Sequence, residues 1–395
     1  MHLQDCISTL QYQFTDCPNV DHVGGVIGSF LGDDPSSEVI NTHWSGSMTI
    51  NNPYYDCAYI GGLIGGCGNF MSAVKFDHCS AAGVISVTKR EMNGYYLGFG
   101  LGGFVGTSDG DTLYYDCHTA VSLSGTVGYG YGGFAGNLEG TATLINCYAK
   151  GQVTAPYEAG GFTGVSEGAT YINCYATVDV TADNMVGGFA AQTSDEDSFE
   201  RGETFINCYA AGDVVLRKTG EYVNAVAGKL FGKVKGTGDH RPSIQLTHCY
   251  TGKQGDLPAI GYAMYNLNAK IQLVDWSDSA AVDAVADTMN GLVEERGDMY
   301  GDTPLFQWLG RNEKNAPSFT DSFLYGDVDR NKAVTAVDAL LVLKKVVGKE
   351  NLSQAEQQKA AEVSGDGTIG AEDALLILQW VVGKIYRFPV EMPLG

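Results

Sequence analysis

One phrase recurs through the first part of this 395-residue chain and limits what it can fold into. "TLINCYAKGQV" surrounds Cys147, "TYINCYATVDV" Cys174, "TFINCYAAGDV" Cys208 and "QLTHCYTGK" Cys249; weaker copies are "VKFDHCSAAGVISV" at Cys79 and "LYYDCHTAVSLSG" at Cys117. From Cys117 onward the spacings are 30, 27, 34 and 41 residues. A second phrase alternates with the first, as in Gly62-Leu63-Ile64-Gly65, Gly103-Phe104-Val105-Gly106, Gly133-Phe134-Ala135-Gly136 and Gly161-Phe162-Thr163-Gly164. So short a unit cannot bury an apolar face alone, but stacked copies can. In "TLINCYA", Ile145, Cys147 and Ala149 share one parity and Leu144, Asn146 and Tyr148 the other, which is strand periodicity. The 53 glycines, against 10 prolines, are read as the residues that turn corners between short strands. The pattern predicts a mainly β chain, a parallel β-solenoid over about residues 20–255.

Stacking explains the cysteines. Equivalent residues on neighbouring coils lie about 4.8 Å apart, wider than the roughly 3.8 Å between Cβ atoms that a disulfide prefers. Cys79, Cys117, Cys147, Cys174, Cys208 and Cys249 are therefore read as small buried thiols. Metal binding is the alternative, but no CxxC pair or Cys/His cluster of metal spacing occurs. Cys6, Cys17, Cys57 and Cys67 fall outside the ladder and are open to pairing. Tyr148, Tyr175, Tyr209 and Tyr250 should stack too, either as an outward ladder that holds a sugar chain or as a cover that stiffens the stack. The stretch "GGFAGNLEGTATLINCYAKGQV" resembles the GLUG-type repeats of bacterial surface and secreted proteins, and the resemblance covers roughly residues 20–250.

The organisation changes after residue 256. Ala281, Val285, Met289 and Leu292 recur at helical spacing, and Asn290-Gly291 reads as a helix stop. Residues 257–318 are expected to cap the solenoid and link it onward, because an open stack end is an exposed edge. Residues 319–395 form a third segment with a gapless duplication. "GDVDRNKAVTAVDALLVLKKVVGK" from Gly326 returns as "AEVSGDGTIGAEDALLILQWVVGK" from Ala361, 35 positions later.

The first copy sets Asp327, Asp329 and Asn331 at alternate positions and Asp338 at position 12 of the loop. A hard cation such as calcium needs about six to eight oxygens, and this spacing wraps a short loop around one ion. Ala333 would add its carbonyl and Thr335 a bridged water. The second copy offers Glu362, Ser364, Asp366, Thr368 and Asp373. A helix should follow each loop, Asp338 to Val347 and Asp373 to Val382, with Val334 and Ile369 pairing the loops. An aromatic-proline clasp is expected between Phe323, Tyr325 and the Phe388-Pro389 pair. No helix is expected before the first loop, and position 12 is Asp rather than the Glu of an ordinary EF-hand.

This segment resembles the type I dockerin module of cellulosome-like systems. The resemblance implies a small all-α domain of paired loop-helix motifs that folds on calcium and binds a cohesin module of a scaffold protein. It implies partner contacts from Ala336, Val337, Leu343 and Lys344 in one copy and Ala371, Glu372, Leu378 and Gln379 in the other. Lys332 stands where the family has Gly, and Glu362 and Ser364 depart from Asp and Asn, so the second of the two calcium sites is expected to be weaker.

A net charge of −22 disfavours nucleic acid and anionic membrane surfaces. No apolar run is long enough to span a bilayer. Residues 1–4 lack the charged and apolar regions of a signal peptide, so Met1 is read as the start of a mature form. No nucleophile elbow, HExxH or Cys-His pairing stands out, and Asp109, Asp111 and Glu139 sit in turn-like stretches. The expectation is a secreted or scaffold-associated, non-catalytic adhesion, binding or spacer protein, with polysaccharide or a cell-surface component as ligand. The alternative is a dockerin-borne polysaccharide lyase or glycosidase.

Overall fold

The computed structural model describes residues 2–15, 21–30, 37–51, 57–67, 74–88, 98–194, 202–217, 225–234, 244–253, 255–263, 267, 270–319, 325–329, 334–352, 355–381, 384–385 and 388–391. The chain divides into two compact units, residues 1–307 with 313–316 and residues 308–312 with 317–395.

The first unit is a parallel β-solenoid with three sheets. One turn of chain lays down Thr143–Ile145 and Tyr148–Thr154 on the largest sheet, Glu158–Gly160 on a second and Thr163–Glu167 on a third, before Thr170–Ile172 begins the next. Among the described residues these sheets hold 17, 7 and 8 strands. Register is in step, with Tyr148 beside Tyr175 and Thr154 beside Thr181.

The strict alternation read from "TLINCYA" does not hold across the whole phrase. Leu144, Cys147 and Ala149 point into the core, whereas Ile145 belongs to a separate apolar cluster. Parity switches at Asn146, which adopts φ 56°. The equivalent corner residues, Asp5, Asn41, His78, Asp116, Asn173, Asn207 and His248, take φ between 46° and 55°. Asn, Asp and His are the non-glycine residues most at ease in that left-handed region. The glycines of the second phrase are needed for another reason: a Cβ on Gly132 would fall 1.9 Å from the carbonyl oxygen of Ala135. They permit close approach of backbone, while the Asn/Asp/His ladder supplies the left-handed corners.

The interior is filled by stacks. Phe104, Phe134, Phe162 and Phe189 lie face to face with centroids 4.8, 4.9 and 4.8 Å apart. The ladder cysteines are buried and unpaired. The Cys147 thiol donates towards Ile145 O at 3.3 Å and Tyr114 O of the preceding coil at 3.4 Å. Cys67, outside the ladder, is also buried and unpaired, with Sγ 3.1 Å from the Tyr114 hydroxyl; Cys6 is unpaired. Cys17 and the side chain of Cys57 lie outside the described residues.

The helical segment after the repeats covers the side of the stack. Helix α1, Ser279–Glu295, starts at an Asp278 cap that accepts from Ala280 N and Ala281 N. It runs through Asn290-Gly291 and stops at Arg296 and Gly297, where φ is 68°. The Gly291 Cα faces open space, so the helix carries it at only a propensity cost. Leu292, Val293 and Leu305 pack onto Tyr115, Ile145, Ile172 and Ile206, four successive outward-facing residues of the large sheet. The helical part thus straps consecutive coils together, while Ile260–Ala263 and Ile271–Val274 of the same expected cap pair onto the last coil of the stack.

The second unit carries three helices among its described residues, α2 (Ala336–Val346), α3 (Ala355–Ala361) and α4 (Ala371–Val381). α2 begins two residues before Asp338 because Thr335 caps it in a reciprocal box with Asp338. α3 was not anticipated from the sequence. The core gathers Val328, Val334, Ala339, Val342, Leu352, Val363, Ala374, Ile377 and Phe388, with Ile369 packed against it. Whether a helix precedes the first loop concerns residues 320–324, outside the described residues.

Candidate functional site

The two loops of the second unit are built around one repeated device. Asp338 is fully buried at the start of α2. Its Oδ1 accepts from Val328 N at 2.7 Å and Asp329 N at 3.0 Å; its Oδ2 accepts from Thr335 N at 2.8 Å and Thr335 Oγ1 at 3.0 Å. Asp373 repeats the pattern, accepting from Val363 N and Ser364 N at 2.8 Å and from Gly370 N at 2.7 Å. In both copies a carboxylate at position 12 folds the loop back onto the helix it opens.

In the first loop, one carboxylate oxygen from each of Asp327, Asp329 and Asp338 lies within 4.8 Å of the others. Oxygens bound to one calcium at about 2.4 Å are separated by at most about 4.8 Å. Three hard anionic donors in so small a volume therefore suit that cation. Asn331 and Ala333, the other expected donors, lie outside the described residues. Thr335, expected to hold a bridging water, commits its hydroxyl to Asp338 and accepts from Val337 N at 3.2 Å.

The second loop is arranged differently. Glu362 Oε1 accepts from Ser364 Oγ at 3.1 Å and Gly367 N at 3.3 Å. Asp366 Oδ1 accepts from Thr368 N at 2.7 Å and Thr368 Oγ1 at 2.8 Å, which holds the Asp366 carboxyl below the usual carboxylate range. These oxygens serve the loop's own donors. Among the described residues, the compact carboxylate triad belongs to the first loop alone.

Of the expected partner residues, Ala336, Val337 and Leu343 are exposed on α2 and Ala371, Glu372 and Leu378 on α4; Lys344 and Gln379 are half-buried. The structure adds Leu340 and Leu375, exposed at 50% and 54%, and Val346 and Val381. Each added pair is separated by the same 35 positions as the duplication, a signal the sequence reading did not extend to them. The result is one apolar stripe per helix. Sequence asymmetry marks the copies: Val337 in one is replaced by Glu372 at the equivalent position of the other, and Lys344 by Gln379.

On the solenoid, Tyr148, Tyr175 and Tyr209 stack at 5.0 and 5.1 Å, and Tyr250 continues in register. All four are buried. The strap lies over them: Trp276 packs on Tyr209, Lys150 pairs with Glu313 at 3.4 Å, and Lys314 donates to Asp179 at 2.7 Å. The ladder therefore covers and stiffens, and it offers no open track for a sugar chain. Asp109 and Glu139, read separately as turn residues, are brought together. Burial pushes the Glu139 carboxyl up to about 7 and raises Asp109, which hydrogen-bonds to it; Glu167 on the next coil adds to the Glu139 shift.

The molecule is thus a three-sheeted parallel solenoid that carries a small duplicated loop-helix unit. Residues 325–380 match the type I dockerin domain, and residues 127–154 match the GLUG motif. The chain therefore carries a type I dockerin domain at residues 325–380 and a GLUG motif in its solenoid. Similar solved structures include the third cohesin ScaC in complex with the ScaB dockerin from Acetivibrio cellulolyticus, with a mutation in the dockerin's N-terminal helix. It is 46% identical over 18% of this chain and 96% of that one, with a TM-score of 0.17. A second, with the mutation in the C-terminal helix, is 45% identical over 18% of this chain and 97% of that one, also with a TM-score of 0.17. No curated protein matches the chain. Among the described residues, no helix is long and apolar enough to cross a membrane.

Proposed function

We propose that this is a secreted, non-catalytic binding or spacer protein that its dockerin attaches to a cohesin module of a scaffold protein, within a cellulosome-like assembly. The observation that carries the reading is the duplicated unit: a buried position-12 aspartate anchors each loop, and an apolar stripe is exposed on the helix that follows. Asp327, Asp329 and Asp338, with Asn331, the Ala333 carbonyl and Thr335, would hold a calcium ion in the first loop. Glu362, Ser364, Asp366, Thr368 and Asp373 would hold a weaker one in the second. Bound calcium neutralises the crowded carboxylates, and its binding energy then becomes folding energy for the loop and helix. The stripes bearing Val337, Leu340 and Leu343, and Leu375 and Leu378, are the faces offered to the cohesin. The solenoid suits a rigid spacer, because its interior is packed with stacked rings and its flank is strapped.

The test is capture of the full chain on an immobilised cohesin, with calcium and with chelator. Calcium-dependent capture, lost in Asp327→Ala with Asp338→Ala, is the expected result. Capture that survives chelation overturns the calcium requirement, and failure to bind cohesins in calcium overturns the docking reading. Release of soluble sugars from plant polysaccharides by the same preparation would favour the enzyme reading instead.

A further inference from the structure

A cavity of about 810 Å³ opens on the solenoid unit, between its last coils and the start and end of the strap. It falls in the range of about 300–1,000 Å³ typical of small-molecule sites. Beside Thr251, which spends its hydroxyl on Ala210 O and Lys229 O, two polar side chains in its lining are more than nine-tenths buried, Lys229 and Trp276, each 8% exposed. Both are hydrogen-bond donors with unused capacity. The Lys229 ammonium has three N–H bonds and makes one hydrogen bond, to Gly255 O at 3.2 Å. Among the described residues no carboxylate comes within ion-pairing distance of it; the nearby charge of Asp256 only partly offsets a burial that lowers its pKa. The Trp276 indole N–H has no partner at all.

The surroundings keep those donors in place and leave room beside them. Asn315 Nδ2 donates to Trp276 O at 2.7 Å, and the indole rests on Tyr209. A Cβ on Gly252 would stand 3.3 Å from the indole nitrogen and 3.5 Å from Cδ1, so a side chain there would take up cavity space beside the indole, whose N–H is itself buried. Leu257 adds apolar wall, while the Asp213 carboxylate and the Asn315 amide stand exposed at the rim. An ammonium with two unused N–H bonds and no carboxylate within ion-pairing distance is a ready local partner for an anion, against the repulsion of the chain's net charge of −22. The geometry points to a binding site for an acidic saccharide, in which a uronate carboxylate meets Lys229 and the ring lies against Leu257 and the indole. Its hydroxyls face Asp213 and Asn315. The ligand class follows from the pairing of the Lys229 ammonium for a carboxylate with an apolar wall for ring C–H groups and a polar rim for hydroxyls. This site is independent of the dockerin, so its failure leaves the docking reading untouched.

The experiment is calorimetric titration of the full chain with digalacturonate, with galactobiose as the neutral comparator and acetate as the bare carboxylate. Saturable binding of digalacturonate, at least about tenfold tighter than either comparator, is expected, because galactobiose lacks the charge-assisted contact and acetate lacks the ring that packs on the apolar wall. Lys229→Met, which keeps the aliphatic stem, and Gly252→Val, which fills the space beside the indole, should each weaken it by about tenfold or more. Cohesin capture should be unchanged in both. If Lys229→Met fails to fold, Gly252→Val decides alone. No binding of digalacturonate by the wild-type chain, equal binding of galactobiose, or indifference to Gly252→Val overturns the assignment.

Discussion

The side-chain amide of Asn207 donates to the carbonyl oxygen of Met289 at 2.9 Å, 82 positions further along the chain. Asn173 donates likewise to Phe306 O at 3.0 Å, and Asn146 to Pro304 O at 2.9 Å. The corner residues also link to one another, Asn207 to Asn173 at 3.1 Å and Asn173 to Asn146 at 3.2 Å. One asparagine per coil thus turns the chain, bonds to the coil below and fastens the strap. Glycine would satisfy the φ of 52° at Asn207 but none of these bonds.

Asn207→Ala should accordingly lose stability on two counts. Alanine in the left-handed region costs about 1–2 kcal/mol, and buried polar groups left without partners cost about 1–3 kcal/mol. Asn207→Gly escapes the first cost. Urea unfolding of the solenoid should therefore rank wild type above Asn207→Gly above Asn207→Ala. Equal midpoints for the two variants would show that the corner conformation carries no strain.

The cysteine ladder should be chemically silent while folded. Burial pushes Cys117, Cys147 and Cys208 well above the usual thiol range and Cys249 up to about 12, and Cys174, drawn down against its burial by hydrogen bonds from Cys147 and Cys208, is closed to reagents because it is fully buried. A maleimide reagent should leave Cys79, Cys117, Cys147, Cys174, Cys208 and Cys249 unlabelled in the native chain and label all six after unfolding in guanidinium without reductant. Missing labels in the unfolded chain would mean disulfides, and a different stacking register.

Glu139 should make the solenoid less stable as pH rises. Its folded-state pKa lies near 7, above the 4.5 of an unperturbed glutamate, because burial and the charges of Asp109 and Glu167 disfavour ionisation. The folded form therefore holds its proton more tightly than the unfolded chain. The resulting stabilisation is fully present below about pH 4.5 and is lost as pH climbs through about 7. Glu139→Gln should flatten that part of the melting-temperature profile and raise the melting temperature at pH 8. An identical profile in the variant would remove the shift from the account.

Much of this architecture was legible in the residues, and the failures share a cause. The repeat of "INCYA" implied stacked parallel strands because no other arrangement buries so short a unit, and the gapless duplication implied paired loops and helices. Period-two reading failed at Asn146 because one left-handed residue inverts parity without disturbing the spelling of the phrase. The strap escaped because its contacts, such as Asn207 with Met289, join residues with no shared periodicity. The tyrosine ladder looked outward in one coil, and only the strap, a distant segment, turned it into buried surface. Asp109 and Glu139 lie 30 positions apart in an irregular repeat, so only the coil register brings them together.

The two ends of the dockerin should depend on one ring. Phe388 is 2% exposed in the core of the unit, and Tyr325 packs against the same cluster. Gly326, with φ of 84°, lies so close that a Cβ there would stand 2.8 Å from Phe388 Cζ. Trp380 of α4 stacks on Phe388 at 6.3 Å, and Val390 N donates to Val363 O at 3.2 Å. Of the expected clasp, Tyr325 shares a cluster with Phe388 and the Gly326 backbone approaches its ring, while Phe323 lies outside the described residues. Removing a buried phenylalanine typically costs about 3–5 kcal/mol. Phe388→Ala, or truncation after Lys384, should lower the melting transition of the dockerin in the full chain and leave the solenoid transition in place. The loss should be larger in chelator than in calcium, where the loaded loops supply part of the closure. An unchanged dockerin transition under both conditions would show that the loops and helices close the unit without the ring.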